Sequence, residues 1–261
     1  MTMEITPERL EEITKLITIW LEKETASLKE VQQLLGKLNF IGACVKPSRI
    51  FVSRLLNWLR ELYERDALQQ SHIPSEVKKD LLWWNEFLSL YNGVSLMSLG
   101  DWSEPDQIFS SDSCLESCGG YWEGNYFHVQ FPVYILDKNL HIGALEMLSL
   151  VVCLHLWGSN FKHRRIIVLC DNLSVCIALN TGKARCSFLQ SCLREVCFIA
   201  AINEFEIRAQ HILTSENRIA DCLSRWHKND SYQKQFFALV KDENISECTV
   251  VDNDFEFKNN W

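Results

Sequence analysis

The tightest constraint in this sequence is an apolar strand that ends in an acid. The stretch IIVLCDNLSVCIAL, residues 166 to 179, opens with Ile166, Ile167, Val168 and Leu169, continues through Cys170, and stops at Asp171 and Asn172. A run this short and this apolar reads as a central parallel strand covered on both faces. Helical residues follow, so the acid sits at a strand-to-helix junction. An unpaired buried carboxylate is costly, so Asp171 must find water, a cation or donors. Asp and Asn both cap helices well. The junction alone leaves two roles open, cap or functional acid.

The neighbouring elements place this strand in a larger pattern. DQIFSSDS, residues 106 to 113, reads as a strand. GGYWEGNYFHVQFP reads as a hairpin turning through Glu123, Gly124 and Asn125. IGALEMLSLVVCLHLWG reads as a mostly buried helix ending at Gly158, and FEIRAQHI as a later strand. Helices are expected over NLSVCIALNTG, SFLQSCLREVCFIAAINE and SENRIADCLSRW. Three strands, a helix, a strand, helices, a strand and a last helix make an α/β domain with a mixed five-stranded sheet and flanking helices, spanning residues 100–227.

Residues 1–99 read as all-helical. Thr6 and Pro7 open one helix. Ser27, with Glu30 three residues on, forms a capping-box pattern for the next. Further helices are expected over PSRIFVSRLLNWLRELYER and from Pro74-Ser75 to Asn92-Gly93. Trp58, Trp83 and Trp84 are expected to pack in the core of this region. Residues 228–261 read as a loosely held acidic tail, with seven acids against four lysines beyond Trp226.

Composition limits the classes. No apolar run approaches the ~18 residues a membrane span needs, and MTMEITPERLEEITKL lacks the layout of a secretory signal. An intracellular protein with no membrane role is expected, in nucleus or cytoplasm. The cysteine count is 11, odd and scattered through apolar runs, which favours buried thiols over disulfides. Cys114 and Cys118 lack a second pair at finger-like spacing, so structural zinc is not expected. The net charge of −8 is unusual for a nucleic-acid binder. The charge is segregated, however: from Gly36 to Arg60 there are basic residues (Lys37, Lys46, Arg49, Arg54, Arg60) and no acid. Lys37, Lys46, Arg49 and Arg54 form a candidate phosphate-binding stripe, and Lys183 and Arg185 in NTGKARC a second candidate; either would weaken with salt.

Within residues 100–227, Asp112, Glu146, Asp171 and Asp221 stand out as acids in apolar surroundings. If Asp112 and Asp171 end adjacent parallel strands, they converge at one sheet edge. Helices bearing Glu146 and Asp221 can then complete a cluster. Close carboxylates raise one another's pKa values, and divalent cations relieve that repulsion. Hard oxygen ligands suit Mg²⁺ or Mn²⁺, and two such ions ~3.5–4 Å apart hold attacking and leaving oxygens in phosphodiester cleavage.

This layout resembles the ribonuclease H family in its order of elements and acids. His211 lies ten residues before Asp221 in HILTSENRIADCLSR, the spacing of the His loop in retroelement ribonucleases H. LLGKLNFIGACVKPSRIFVSRLL looks like a reverse-transcriptase thumb, and KDLLWWNEFLSLYNGVSL like the connection that follows it. CDNLSVCIALNTGKARCSFLQSCLREVCFIAA and ENRIADCLSR are most similar to DIRS-type retrotransposons. The resemblance covers about residues 25 to 226. It implies metal-dependent cleavage of the RNA strand of an RNA–DNA hybrid, with two Mg²⁺ or Mn²⁺ ions on Asp112, Glu146, Asp171 and Asp221. It assigns His211 to proton movement or product departure. It makes Asn172, Glu146 and the backbone at Gly119-Gly120 candidates for 2′-hydroxyl contacts.

Two departures stand out. The first strand carries Ser-Asp-Ser-Cys where the family has Thr-Asp-Ala-Ser, and Leu213-Thr214 replaces the usual Pro-Gly. No paired-Asp polymerase motif is present, so DNA synthesis is not expected of this chain, and a polymerase region would act in trans. The rival readings are a catalytically weak or inactive nucleic-acid-binding or interaction protein derived from a retroelement, and another nuclease or recombinase on the same fold.

Overall fold

The structure is a computed structural model that describes residues 2–42, 45–65, 69–90, 94–96, 104–184 and 186–258; side chains are not described at 2–4, 46, 47, 49, 89, 90 and 94–96. The chain divides into two compact units, residues 1–102 with 260–261, and residues 103–259.

The first unit is built on helices α1 (Pro7–Glu22), α2 (Leu28–Gly42), α3 (Ser53–Glu64) and α4 (Ser75–Leu90). The box at the start of α2 forms as its spacing predicts. Glu30 Oε2 accepts from Ser27 N at 2.8 Å, and Ser27 Oγ accepts from Glu30 N at 3.4 Å. Pro47 separates the predicted third helix from α2, and the residues before Ser53 form a 3₁₀ turn, Lys46–Val52. The unit is not all-helical. Two short antiparallel pairs, Thr2–Glu4 with Val94–Leu96 and Thr25–Ala26 with Ser71–His72, tie its loops together. Trp58, Trp83 and Trp84 are buried, and Trp83 stacks on Phe51 with ring centroids 3.7 Å apart.

The second unit is a mixed α/β domain with a six-stranded sheet. Strands β1 (Gln107–Ser113), β2 (Ser117–Trp122) and β3 (Asn125–Gln130) form an antiparallel meander. Helix α5 (Ile142–Trp157) leads to β4 (Arg165–Cys170), parallel to β1. Helices α6 (Leu173–Thr181) and α7 (Ser187–Ile202) precede β5 (Glu206–His211), parallel to β4. Helix α8 (Arg218–Ser224) follows, then α9 (Asp230–Leu239) and β6 (Ser246–Glu247). The strand order is β6-β3-β2-β1-β4-β5.

Five of these strands lie where five were expected. The sixth, β6, adds in parallel to the outer edge of β3. It belongs to the segment expected as a loose tail. Instead, Phe236, Val240 and Phe255 are buried in the domain, and Phe236 packs on Tyr126 with ring centroids 4.7 Å apart. A segment can be acidic on its outer face and still bury enough apolar surface to be held.

Three glycines fix how close neighbouring segments come. Gly124 sits in the β2–β3 turn at φ +84, and a Cβ there would lie 2.3 Å from Asn244 O. A Cβ on Gly119 would lie 2.4 Å from Leu223 Cβ in α8, whereas one on Gly120 would lie 2.6 Å from Cys153 Sγ in α5. Successive strand residues face opposite sides, so α8 and α5 cover opposite faces of the sheet.

One correction concerns α5. With its following turn, Ile142–Phe161 is 20 residues and is long and apolar enough to cross a bilayer, which no run in the sequence was expected to be; 78% of its apolar window is buried within the domain. Its apolarity is that of a central core helix.

Candidate functional site

The parallel pairing of β1 and β4 sets the register of the site. The last paired residues are Ser110 and Leu169, and two residues further along each strand stand Asp112 and Asp171. The junction that left two roles open for Asp171 is resolved by its neighbour. Asn172 is the cap of α6, its Oδ1 accepting from Ser174 N at 3.0 Å and Val175 N at 3.4 Å. Asp171 is thereby left to line a cavity of about 520 Å³ together with Asp112, Ser113, Glu146, Arg225 and Lys228.

Glu146 reaches this cavity from α5. Asn172 Nδ2 donates to Glu146 Oε1 at 3.2 Å, so one amide both caps a helix and orients an acid. Asp112 reaches it from the α8 face. Ser224 Oγ donates to Asp112 Oδ2, and the other carboxylate oxygen accepts no hydrogen bond among the described residues. Helix α8 is itself fastened to the sheet at both ends. Asn217 Nδ2 donates to Ser111 O at 3.2 Å, and Ser117 Oγ donates to Ser224 O at 2.6 Å.

Burial outweighs the cations nearby: Arg225, itself paired with Asp221, pulls Asp112 down only weakly. Asp112 is pushed up to about 7 by burial, against the pull of Ser224 and with a further push from Asp171 and Asp221. Glu146 is pushed up to about 7 by burial, eased by the Asn172 hydrogen bond and reinforced by Asp112 and Asp171. Hence burial draws two of the three lining carboxylates towards their protonated forms, and a bound cation would reverse that.

The remaining candidates fall in different places. Asp221 does not line the cavity; its Oδ1 lies 2.7 Å from Arg225 Nε as an ion pair, one helical turn on. His211 is exposed and pairs opposite Cys170; its Nε2 donates to Asp171 O at 3.2 Å, which places the ring beside the site without lining it. Gly119 and Gly120 are buried under helices and serve close packing, contrary to the expectation of 2′-hydroxyl contact. Lys37 pairs with Glu12 at 2.5 Å, and Arg54 with Glu76 at 2.7 Å and Asp80 at 3.0 Å. These pairs neutralise half of the expected phosphate stripe within its own unit. The side chains of Lys46 and Arg49 lie outside the described ones, as does Arg185, while Lys183 is exposed.

No protein-family model and no curated protein matches the chain. What the site can do therefore rests on its own atoms. Oxygens of Asp112, Glu146 and Asp171 suit a hard dication. Arg225 and Lys228 on the same cavity wall suit an anion beside it. Sequence reasoning passed over Cys170, Ser113, Ser224, Arg225 and Lys228. Ser224 and Arg225 stood inside ENRIADCLSR, three and four residues after Asp221, a spacing that puts all of them on one helix face.

Proposed function

We propose that this chain is a metal-dependent endonuclease of the ribonuclease H kind, hydrolysing the RNA strand of RNA–DNA hybrids. The observation that carries the reading is the convergence of Asp112, Glu146 and Asp171 on one cavity where parallel strands end. A meander of three strands followed by two parallel ones, with a core helix between, supports a ribonuclease H-like arrangement. The helical first unit is compatible with the thumb and connection resemblance, and a polymerase region in trans is the proposed partner.

Asp112, Glu146 and Asp171 would hold Mg²⁺ or Mn²⁺, their buried and unbalanced charge being what such an ion relieves. The chemistry such ions would supply there is an activated water and stabilisation of the departing 3′-oxygen. The chain's own residues do the rest. Ser224 and Asn172 fix the rotamers of Asp112 and Glu146. Asp221 holds Arg225 at the cavity, where it and Lys228 draw in the phosphodiester. His211 stands next to Asp171, placed to pass a proton at the rim.

A second reading has one observation in its favour. Asp221 is already paired with Arg225, so a catalytically weak binding protein could keep this site without turnover. Cleavage of labelled hybrid with Mg²⁺ separates the two, with duplex DNA and duplex RNA as comparison substrates. The wild type should cut the hybrid and Asp112→Asn should not. Equal rates for the two proteins would refute the hydrolase reading, and metal binding without cleavage would favour the second.

A further inference from the structure

A sulfur lies beside one of the cavity's acids. Cys170, the last residue of β4, is 2% exposed, and its Sγ lies 3.5 Å from Glu146 Oε2. One ligand atom each from Glu146, Cys170 and Asp171 lie within 4.8 Å of one another. A tetrahedral zinc site has ligand atoms about 3.6 Å apart, from Zn–O near 2.1 Å and Zn–S near 2.3 Å. Only a small inward turn of Asp171 or Glu146 is therefore needed.

A second observation points to a ligand in the same place. Ser113 is 7% exposed, and its Oγ is buried with no hydrogen-bond partner among the described residues, although the residue lines this cavity. Alternation along β1 turns Ser113 to the same face as Phe109, which packs against Trp157 of α5. That is the side from which Glu146 comes. A buried hydroxyl left without a partner costs about 1–3 kcal/mol unless something bound supplies one.

We propose that Cys170, Glu146 and Asp171 form a mixed sulfur–oxygen position that takes a thiophilic dication, of the Zn²⁺ or Cd²⁺ class. A site of carboxylates alone prefers hard ions, and a thiolate shifts that preference towards softer ones. On binding, the Cys170 S–H bond breaks, its proton leaves to solvent, and an Sγ–metal bond forms. Three protein ligands leave a position for water or for Ser113 Oγ. The inference shares its cavity with the proposed hydrolase but needs only the ligands, so it stands apart from hybrid cleavage. It makes Zn²⁺ a competitor of Mg²⁺ at Glu146 and Asp171.

Titration of the full chain with Cd²⁺, followed by the ultraviolet sulfur-to-cadmium charge-transfer band, tests this. The wild type should develop the band with one equivalent. Cys170→Ser and Cys170→Ala should lose it and bind Cd²⁺ about tenfold or more weakly, with Mn²⁺ affinity held within about twofold. A band of equal strength in both variants overturns the proposal, and so does an equal loss of Mn²⁺ and Cd²⁺ binding. X-ray absorption of the wild type with one equivalent of Zn²⁺ needs no variant. A sulfur neighbour at about 2.3 Å is expected, and a shell of oxygen and nitrogen alone overturns the assignment. Absence of hybrid cleavage alongside a normal band would count against the hydrolase reading only.

Discussion

Asp112→Asn should abolish hybrid cleavage and yet stabilise the metal-free protein, by an amount that grows with pH. Asp112 is 6% exposed, and burial lifts it from 3.8 to about 7. Between about pH 4 and pH 7 the folded chain keeps a proton that the unfolded chain has released, so stability falls as pH rises through that window. Above it the full cost of the buried charge is present, at most about 4 kcal/mol at ~1.4 kcal/mol per tenfold. Water reaches the cavity, so about half of that, ~2 kcal/mol, is the working figure. Asparagine keeps an acceptor oxygen for Ser224 and removes the charge. For a domain of this size ~2 kcal/mol raises Tm by about 4–8 °C. Thermal melts in EDTA at pH 8 and pH 5 should show a gain of that order at pH 8 and well under half of it at pH 5. Added Mg²⁺ should narrow the gap at pH 8, because only the wild type binds the ion in full. A gain of the same size at both pH values, or none at pH 8, would refute the picture of an unbalanced carboxylate waiting for a cation.

Three further substitutions probe how the site is held. Gly119→Ala must push α8 away, because its Cβ would meet Leu223 Cβ at 2.4 Å and the backbone carbon at 2.7 Å; a loss of about 1–3 kcal/mol in stability and of hybrid cleavage is expected, read by denaturant melts and by the cleavage assay. Phe236→Ala should cost about 3–5 kcal/mol by urea midpoint, since this tail residue is fully buried; a negligible change would restore the loosely held tail. Asn180 blocks the open edge of β5, its Nδ2 donating to Ala209 O and its Oδ1 accepting from Ala209 N, both at 2.8 Å. Asn180→Ala should cost about 1–3 kcal/mol and speed hydrogen exchange at Ala209, and unchanged exchange there would argue against an edge plug.

What could be read from the sequence followed from how uncommon each residue is in its setting. A lone acid inside an apolar helix, Glu146, and an acid stopping an apolar strand, Asp171, stand out because burial penalises them. Both line the cavity. Cys170 did not stand out, because a thiol in an apolar run is ordinary core; only its 3.5 Å approach to Glu146 makes it more than that. Strand β6 spans Ser246–Glu247, too short to show any periodicity. Tail burial was hidden for a related reason. Phe236, Val240 and Phe255 are diluted among acids and amides, so composition reads as solvated while individual side chains pack. The basic stripe misled in the opposite direction. An acid-free segment says nothing about acids brought in from other helices, and Glu12, Glu76 and Asp80 come from α1 and α4.

That last point bears on how an acidic chain would serve the proposed phosphodiester site. Formal charge sums over the sequence, but a phosphate responds to the charges within about a Debye length, ~8 Å at physiological salt. In the second unit the acidic C-terminal stretch docks at the far end of α5. His155 Nδ1 donates to Asp254 O at 2.8 Å, and His155 is nine residues along the helix from Glu146, about 14 Å at 1.5 Å per residue. Glu247 sits at the outer sheet edge, 3.1 Å from His128 Nε2. Lys228, which composition assigned to the acidic tail, lines the cavity instead, next to Arg225. The fold therefore sorts charge by position: Asp254 lies at the far end of α5 and Glu247 at the outer sheet edge, while Arg225 and Lys228 line the cavity. Local charge, not the −8 of the whole chain, is what the proposed phosphodiester or metal ion would meet.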